Sequence, residues 1–339
     1  MKVYLYSGMQ NLIEKSGVGR AFHHQEDAAK QNNIELVQNI EEADVVHINT
    51  VFPNSLLMSY LSQKKKVPVI YHAHSTKEDF RNSYLGSNMF SEAFCKWIKL
   101  CYESADIIIT PTKYSKSLLR SYGITKPIEV VSNGIDLNYY NRKNVEKGSF
   151  RNKYGYKKDD KIVMCVGLTI DRKGILDFVE LAKKMPEYEF IWFGEANLRA
   201  VTHNVKKAVQ IKLPNLKFPG YINKEELREA YRDCDLFLFP SKEETEGIVV
   251  LEALAMKIPV LLRDIPVYKD WLVEDRDVYK ASNLDEFEVK IKDILEGKSQ
   301  SLVENGYKVV QNKTIEKVGE RFVEIYKMAI EGYSKNNKD

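Results

Sequence analysis

The chain of 339 residues has room for two domains, and its 44% of hydrophobic residues is typical of a globular protein that buries a full core in each. Its 51 Lys and Arg against 48 Asp and Glu leave a formal net charge of +3, which is too balanced to indicate a nucleic acid partner. The 4 cysteines show neither a paired framework nor a metal-ligand spacing, so they indicate reduced thiols.

The predicted elements alternate between strand and helix along the whole chain. This alternation predicts an α/β fold with parallel sheets that are covered on both faces by helices. A polar stretch at 141–160 separates two series of strands, so we place one domain at 1–150 and a second at 151–314, followed by an amphipathic helix at about 315–332. The predicted strands are 2–6, 45–48, 67–71, 107–110 and 128–131 in the first series and 162–166, 190–193, 216–218, 236–239 and 260–262 in the second.

The start of the chain predicts a first strand and not a signal peptide, because a polar loop with glycines follows the short apolar run. Gly17 and Gly19 lie in this loop just before a helical pattern, and by themselves they indicate only a turn. No stretch of the sequence is apolar over the length that a membrane span requires. Any contact with lipid is therefore expected at the membrane surface.

His72 and His74 end the third predicted strand. Alternation along a strand points both imidazoles to the same side, which would suit a zinc pair, but no third ligand stands at a spacing that completes a site. We therefore predict no metal. A long polar segment that contains a glycine, 76–88, follows directly and is expected to lie over a ligand-binding cleft.

The next helical pattern, 89–102, carries an apolar stripe at helical spacing. Such a stripe either packs in the core or lies on anionic lipid or an acyl chain. Lys64, Lys65 and Lys66 would add to a basic surface or form a solvated turn. The stripe consists of Phe90, Phe94, Trp97, Ile98 and Cys101.

In the second half, Arg172 and Lys173 follow a strand at the start of the next helix. A charged turn of this kind is either surface decoration or, with the backbone N–H groups of the helix, a place to hold a diphosphate. Asp233 and Asp235 form a D-x-D pattern, but they stand between a helix and a strand, where carboxylates mostly form turns. We predict a structural role for this pair.

Glu244 and Glu252 are separated by seven residues, among them Gly247, between two apolar runs. The pattern predicts Glu244 in a loop at the carboxyl end of a strand and Glu252 about two turns further on, inside a helix. The alternatives are two solvated charges or two acceptors of hydrogen bonds from a polyol such as a sugar or ribose.

This E-x7-E stretch resembles the signature of the retaining glycosyltransferases of family 4, whose GT-B fold has two Rossmann-like domains facing a central cleft. The resemblance implies that Glu244 holds the donor hexose and Glu252 the ribose, while Arg172 and Lys173 hold the diphosphate. His74 matches the family histidine that binds the donor sugar, and no metal is implied. The remaining donor contacts that it implies are Gly17, Gly19, Gly194, Tyr221, Ile222 and Gly247.

Further runs resemble Gram-positive glycolipid synthases, among them 72–83, 132–136, 191–195 and 263–268. This resemblance implies transfer of galactose or glucose from a UDP-sugar to monoglucosyl-diacylglycerol, as in the synthesis of the lipoteichoic acid anchor. It also implies front-face attack by the acceptor hydroxyl and a cytoplasmic protein held peripherally at the anionic inner face of the membrane.

Three other functions are alternatives, and the last of them, a noncatalytic subunit, is disfavoured by the presence of His74, Lys173, Glu244 and Glu252. A family 4 glycosyltransferase could act on a polysaccharide or another soluble saccharide, and a GT-B epimerase would convert UDP-hexose without any acceptor. A noncatalytic subunit would bind UDP weakly or not at all. A comparison of UDP-sugar turnover with and without glycolipid separates the enzyme classes.

Overall fold

The structure is a computed structural model that describes residues 1–9, 14 and 16–336. It divides into two compact units, which are called unit 1 and unit 2 below. Unit 1 comprises Met1–Glu78, Phe90–Asp136 and Lys313–Asp339, and unit 2 comprises Asp79–Met89 and Leu137–Asn312. The chain passes from unit 1 into the longer stretch of unit 2 between Asp136 and Leu137. This crossing lies a few residues before the polar stretch at 141–160, where the sequence places the domain boundary.

Each unit contains a parallel sheet with six strands among the described residues. The order is β2-β1-β3-β4-β5-β6 in unit 1 and β12-β11-β10-β7-β8-β9 in unit 2. The predicted α/β class with a parallel sheet in each half is confirmed. The strands are β1 Lys2–Tyr6, β2 Glu35–Leu36, β3 Val45–Ile48, β4 Val69–His72, β5 Ile107–Thr110, β6 Ile128–Val130, β7 Ile162–Val166, β8 Glu189–Phe193, β9 Leu216–Gly220, β10 Leu236–Phe239, β11 Val260–Arg263 and β12 Tyr279–Ala281.

Helices connect the strands, and most of them bury one apolar face. Short 3-10 turns lie at Ile40–Glu42, Arg142–Asn144, Asp171–Lys173 and Pro266–Tyr268. The helices are α1 Gly17–Gln31, α2 Pro53–Lys64, α3 Lys77–Phe80, α4 Ser87–Glu103, α5 Lys113–Ser121, α6 Ser149–Tyr154, α7 Ile175–Lys184, α8 His203–Gln210, α9 Lys224–Asp233, α10 Ile248–Ala255, α11 Leu284–Leu295, α12 Val303–Val310 and α13 Ile315–Asn336.

The sheet of unit 1 is covered by two apolar clusters. One contains residues of β1, β3 and α1 together with the buried side of α13, including Phe322 and Tyr326. The other contains residues of β3, β4 and β5 together with Ile98 and Cys101 of α4. The end of the chain therefore packs on the sheet that begins at residue 2.

The strand order of each sheet reverses at one place. In unit 1 this place lies between β1 and β3, and in unit 2 it lies between β7 and β10. Open α/β sheets bind ligands outside the carboxyl ends of the strands at such a reversal, because the connections leave in opposite directions and open a crevice. The loops after β7 and β10 are therefore the first place to look for a site in unit 2.

Candidate functional site

Two loops of unit 2 come together at the reversal between β7 and β10. The loop after β7 carries the turn Asp171–Lys173, and the loop after β10 leads to Glu244. Gly174 permits their close approach, because its φ is +80° and a Cβ at this position would lie 2.3 Å from the carbonyl oxygen of Pro240. A residue with a side chain would push the two loops apart.

The approach places Lys173 directly against Glu244. Lys173 Nζ lies 2.5 Å from Glu244 Oε1, and Ser241 Oγ donates to the same oxygen at 2.6 Å. Burial acts to raise the pKa of Glu244, but the positive charges of Lys173 and Arg172 outweigh it, and the net pKa is lowered. Glu244 is buried and ionised at neutral pH, so the alternative of a solvated loop charge is wrong.

Arg172 lies beside this pair but makes other bonds. Its Nη2 lies 2.9 Å from Asp79 Oδ1, its Nε donates to Ser83 Oγ at 2.9 Å, and its Nη1 donates to the carbonyl oxygen of Glu243 at 2.8 Å. Nη1 also lies 4.0 Å from the carboxylate of Glu244. The sequence predicts Arg172 as a diphosphate ligand, whereas its guanidinium is held by protein oxygens on several sides.

Two helix N-termini open next to the Lys173–Glu244 pair. α7 begins after Gly174 and α10 after Gly247, and both glycines are in the left-handed region. Neither N-terminus has a side-chain cap in the described part of the chain, so the first N–H groups of these helices are available to an anion. Backbone donors and one cation thus converge at the carboxyl edge of the sheet.

Glu252 lies in the second turn of α10 and is completely buried. Tyr140 Oη donates to Glu252 Oε1 at 2.8 Å, and Tyr231 Oη donates to Oε2 at 3.0 Å. A half-exposed helix charge, the alternative from sequence, is therefore wrong. Both tyrosines were beyond sequence reasoning, because they come from distant segments with no shared spacing.

Tyr268 is a further residue that the sequence did not indicate as part of the site. Its side chain is completely buried, and its hydroxyl has no hydrogen-bond partner among the described residues. A Cβ placed on Gly247 would lie 3.2 Å from that hydroxyl, so the ring lies under the start of α10. Burial, followed by the negative charges of Glu244 and its acidic neighbours, raises the pKa of Tyr268, which therefore remains a hydrogen-bond donor.

The other predicted donor contacts of unit 2 lie on adjacent strands. Gly194 follows β8, and its N–H donates to the carbonyl oxygen of Gly220 at the end of β9 at 2.7 Å. Its φ of +105° and a hypothetical Cβ at 2.3 Å from Gly167 O leave no room for a side chain. Tyr221 is exposed and Ile222 half-buried in the loop that follows.

Unit 1 by itself contains a stack of three buried histidines. The rings of His47 and His72 are parallel with centroids 5.4 Å apart, and those of His72 and His74 are parallel at 4.1 Å. Burial lowers the pKa of His74 to about 3, and burial together with the charge of His74 lowers that of His47 to about 3. The pKa of His72 is also far below its usual value, so all three rings are neutral.

Hydrogen bonds connect this stack across unit 1. Tyr326 Oη of α13 lies 2.7 Å from His47 Nδ1, and His47 Nε2 lies 3.2 Å from His72 Nδ1. Gln25 Nε2 donates to Asn49 Oδ1 at 2.7 Å, and the same oxygen lies 3.1 Å from His74 Nε2. The described residues contain no cluster of three metal-ligating side chains, and the expectation that His72 and His74 bind no metal stays a prediction.

The glycine loop of unit 1 is described only in part, because residues 10–13 and 15 lie outside the described residues. Gly17 is the first residue of α1, and Ser16 Oγ accepts a hydrogen bond from the N–H of Gly19 at 3.3 Å. A Cβ at Gly17 would meet nothing within 4 Å. The phosphate contact that the resemblance implies for these glycines stays a prediction.

The D-x-D carboxylates serve the fold of unit 2. Asp233 accepts from the N–H of Gly148 at 2.8 Å at the start of α6, and Asp235 accepts from Arg151 Nη2 at 2.8 Å and from the N–H of Ile162 at 2.9 Å.

Within the ranges that the structure covers, no helix has the length and apolar character to cross a bilayer.

Comparison with known proteins gives matches over both units. The family profile described as Glycosyltransferase Family 4 matches residues 19–139, and the profile described as Glycosyl transferases group 1 matches residues 146–309. These two ranges include the loops after β3 and β4 in unit 1 and those after β7 and β10 in unit 2.

Relatives in sequence act on diacylglycerol lipids, as their names state. The chain is 43% identical to the processive diacylglycerol alpha-glucosyltransferase of Acholeplasma laidlawii, over 97% of this chain and 99% of that protein. It is 26% identical to the alpha-galactosylglucosyldiacylglycerol synthase of Streptococcus pneumoniae, over 71% of this chain and 66% of that protein.

Solved structures are similar in fold at much lower identity. Anabaena Alr3699/HepE in complex with UDP and glucose superimposes with a TM-score of 0.75 at 16% identity, covering 96% of this chain and 99% of that chain. Sucrose-phosphate synthase of Thermosynechococcus elongatus does so with a TM-score of 0.68 at 18% identity, covering 86% of this chain and 74% of that chain.

Proposed function

The chain belongs to glycosyltransferase family 4 and has the GT-B fold, and on this basis we propose that it transfers a hexose from a UDP-sugar to a diacylglycerol glycolipid with retention of the anomeric configuration. The observation that carries the proposal is the buried Lys173–Glu244 pair between two uncapped helix N-termini at the reversal of the sheet. This arrangement offers a cation and backbone donors to a diphosphate and an ionised carboxylate to a sugar.

The diphosphate of the donor would bind at the N-termini of α7 and α10, with Lys173 as its cation. Negative charge grows on the diphosphate as the bond to the hexose breaks, so fixed donors at this place stabilise the transition state more than the ground state. Glu244 accepts hydrogen bonds from the hexose hydroxyls. We propose that Glu252, with Tyr140 and Tyr231 on its oxygens, acts near the ribose.

Retention does not require either glutamate to act as a nucleophile. Glu244 Oε1 accepts bonds from Lys173 and Ser241, which lowers its nucleophilicity. In our proposal the acceptor hydroxyl attacks the anomeric carbon from the face on which the diphosphate leaves. The departing phosphate oxygen takes the proton of that hydroxyl, and His74, a neutral ring, binds the donor sugar.

The relatives from Acholeplasma and Streptococcus support a diacylglycerol-based acceptor, and we propose monoglucosyl-diacylglycerol with glucose or galactose as the transferred sugar. A surface of unit 1 suits a peripheral position at the inner face of the membrane. The exposed apolar side chains Leu57, Tyr60 and Leu61 of α2 precede the exposed lysines 64–66. Anionic lipid would attract the lysines and accept the apolar groups.

The decisive experiment combines UDP-glucose, UDP-galactose and GDP-glucose with diacylglycerol, its monoglucoside and free saccharides, with products identified by mass spectrometry and NMR. We expect an α-linked product from one UDP-sugar and a glycolipid, at a rate that EDTA does not change, and sedimentation of the protein with anionic vesicles. Conversion of the UDP-sugar without any acceptor would instead indicate an epimerase, and transfer only to free saccharides would overturn the lipid acceptor.

Substitutions in the pair test the site itself. We expect Lys173→Gln or Glu244→Gln to lower kcat by about a hundredfold or more, because each removes a preorganised group that acts on charge in the transition state. Lys242→Gln is the matched control, since its exposed ion pair with Asp171 lies on the same two loops. Near-normal turnover of both site variants, with melting temperatures unchanged, would contradict the assignment.

A further inference from the structure

A short segment, Asp79–Met89, belongs to unit 2 although the chain before and after it belongs to unit 1. It is called the 79–89 segment here. It lies in the connection between β4 and β5, begins in α3 and ends in the first turn of α4. Its contacts with unit 2 therefore decide where this part of the chain lies.

Arg172 makes the main polar contacts with the 79–89 segment. Its guanidinium binds Asp79 Oδ1 and Ser83 Oγ, both at 2.9 Å, and its backbone N–H donates to the carbonyl oxygen of Asn82 at 3.0 Å. Ser83 Oγ in turn donates to the carbonyl oxygen of Asp79 at 2.8 Å. The buried Arg172 thus makes hydrogen bonds or ion pairs with three residues of one turn.

Two further contacts fix the shape of the segment. The N–H of Leu85 donates to the carbonyl oxygen of Ala200 at 2.8 Å, which attaches a second point of the segment to unit 2. Asn82, with a φ of +54°, exchanges hydrogen bonds with the side chain of Asn88 at 2.9 Å. The Asn82–Asn88 bonds lie within the segment, and the bonds of Asp79 and Leu85 attach it to Arg172 and Ala200.

A diphosphate would share Arg172 with these partners, which already engage its Nε and both Nη atoms. The guanidinium is buried, and charge-assisted bonds to a carboxylate are among the strongest that an arginine forms. Asp79 is only partly buried, with its side chain 24% exposed, so the loss of this bond costs less than the loss of a fully buried ion pair. Lys173 is also paired with a carboxylate, Glu244, but its ammonium has three donors and can bind Glu244 and a diphosphate together.

The 79–89 segment presents large apolar groups to solvent. Tyr84 is 41% exposed, Leu85 60% and Met89 75%. Exposed apolar side chains that form a patch are typical of surfaces that bind an apolar ligand or a membrane. Arg172 ties this cluster to the donor site, because its Nη1 lies 4.0 Å from the Glu244 carboxylate.

We propose that Arg172 is a positioning residue that holds the 79–89 segment beside the donor site, and that this segment receives the glycerol and acyl part of the acceptor. The acceptor part of this inference rests on the proposed function. Arg172 then acts on the acceptor through Asp79 and Ser83, and the diphosphate is left to Lys173.

The test compares Arg172→Gln, Asp79→Asn and Ser83→Ala in the full chain, with Asp171→Asn as the control. Asp171 lies next to Arg172 but pairs with the exposed Lys242 at 2.8 Å. Three quantities are measured: UDP affinity by calorimetry, KM and kcat for UDP-glucose and for monoglucosyl-diacylglycerol in mixed micelles, and amide hydrogen exchange at 80–89.

We expect Arg172→Gln and Asp79→Asn to raise the acceptor KM by about tenfold or more and to speed exchange at 80–89, because each breaks the partly buried charged hydrogen bond between the two residues. Ser83→Ala should have a smaller effect in the same direction. UDP affinity should stay within about twofold of the parent, a change too small for the loss of a charged ligand. Asp171→Asn should change none of these quantities.

Two outcomes would overturn the inference. One is a loss of UDP affinity in Arg172→Gln that Asp79→Asn does not share, which would make Arg172 a diphosphate ligand. The other is unchanged exchange at 80–89 in both variants. If the parent binds no UDP and transfers no sugar, the proposed function fails, while the exchange measurement still decides whether Arg172 holds the segment.

Discussion

The three stacked histidines of unit 1 are uncharged, because protonation of a buried ring is unfavourable. Burial is the main cause of their low pKa values, and each ring also faces another ring that would repel a second positive charge. The polar groups around them are Gln25, Asn49 and Tyr326, none of which carries a negative charge. No anion among these contacts would favour protonation.

Acid should therefore begin to destabilise the protein at a pH above the range in which carboxylates titrate. The unfolded histidines take up protons below about pH 6.5, whereas the folded rings of His47 and His74 do so only near 3. Stability is thus fully present above pH 7 and is lost as the pH falls towards 3. We expect a loss of about 1.4 kcal/mol per pH unit for each such histidine between pH 6 and 4, measured by urea unfolding.

The same titration in His47→Gln should show a shallower slope by about one proton, because one neutral ring has been removed. His203→Gln is the control, since His203 is exposed at the start of α8. A parent protein with equal stability at pH 7 and 5 would show that these rings are not held neutral.

Sequence reasoning located residues that follow neighbouring strands but missed those that reach the site from elsewhere. Lys173 and Glu244 each follow a strand of the second series, so alternation places both at the carboxyl edge of the sheet, whereas their pairing follows from the adjacency of β7 and β10 in the structure. Tyr140 and Tyr268 could not be found in this way, because each reaches the site by packing under a helix. Arg172 and Lys173 are neighbours in the sequence, and their different roles are indicated only by the contact of Arg172 with Asp79 in the structure.

At the scale of elements, the helix α4 shows what periodicity can and cannot predict. The stripe at 89–102 correctly identifies Ile98 and Cys101 as core residues. Phe90 of the same stripe is 56% exposed. Spacing defines a helical face, but other elements decide how much of it is covered. The two strands that the sequence did not predict, β2 and β12, have only two and three residues, too few for an alternating pattern.

The turn between β7 and α7 depends on a glycine, and Gly174→Ala should show it. Alanine at a φ of +80° is strained by about 1–2 kcal/mol. Its Cβ would also clash with Pro240 O. We expect the free energy of unfolding to fall by more than this strain and turnover to drop, because Lys173 moves with the turn.

Gly297→Ala is a matched control for this variant. Gly297 has a similar φ of +72°, but a Cβ there meets nothing within 4 Å. The difference between the two losses of stability, measured by urea unfolding, therefore isolates the clash between the two loops. Equal losses in the two variants would mean that the loops do not approach as closely as described.

At the scale of the whole molecule, neither unit is made from one continuous stretch of chain. Unit 1 takes α13 from the end of the sequence, and unit 2 takes the 79–89 segment from within the first half. The two units are thus joined by the chain at several places. A change in the last helix should therefore be felt in strands that lie almost three hundred residues earlier.

Phe322 of α13 allows this to be tested, because its ring meets His47 edge-on with centroids 5.5 Å apart and is only 1% exposed. We expect Phe322→Ala to lower the free energy of unfolding by about 3–5 kcal/mol, the usual effect of emptying a buried aromatic site, and to speed amide exchange in β1 and β3. Met328→Ala is the control, since Met328 lies on the same helix and is 46% exposed. If both variants unfold at the same denaturant concentration as the parent, α13 does not belong to the core of unit 1. If only Phe322→Ala is destabilised, the sheet that carries the histidine stack depends on the last helix of the chain.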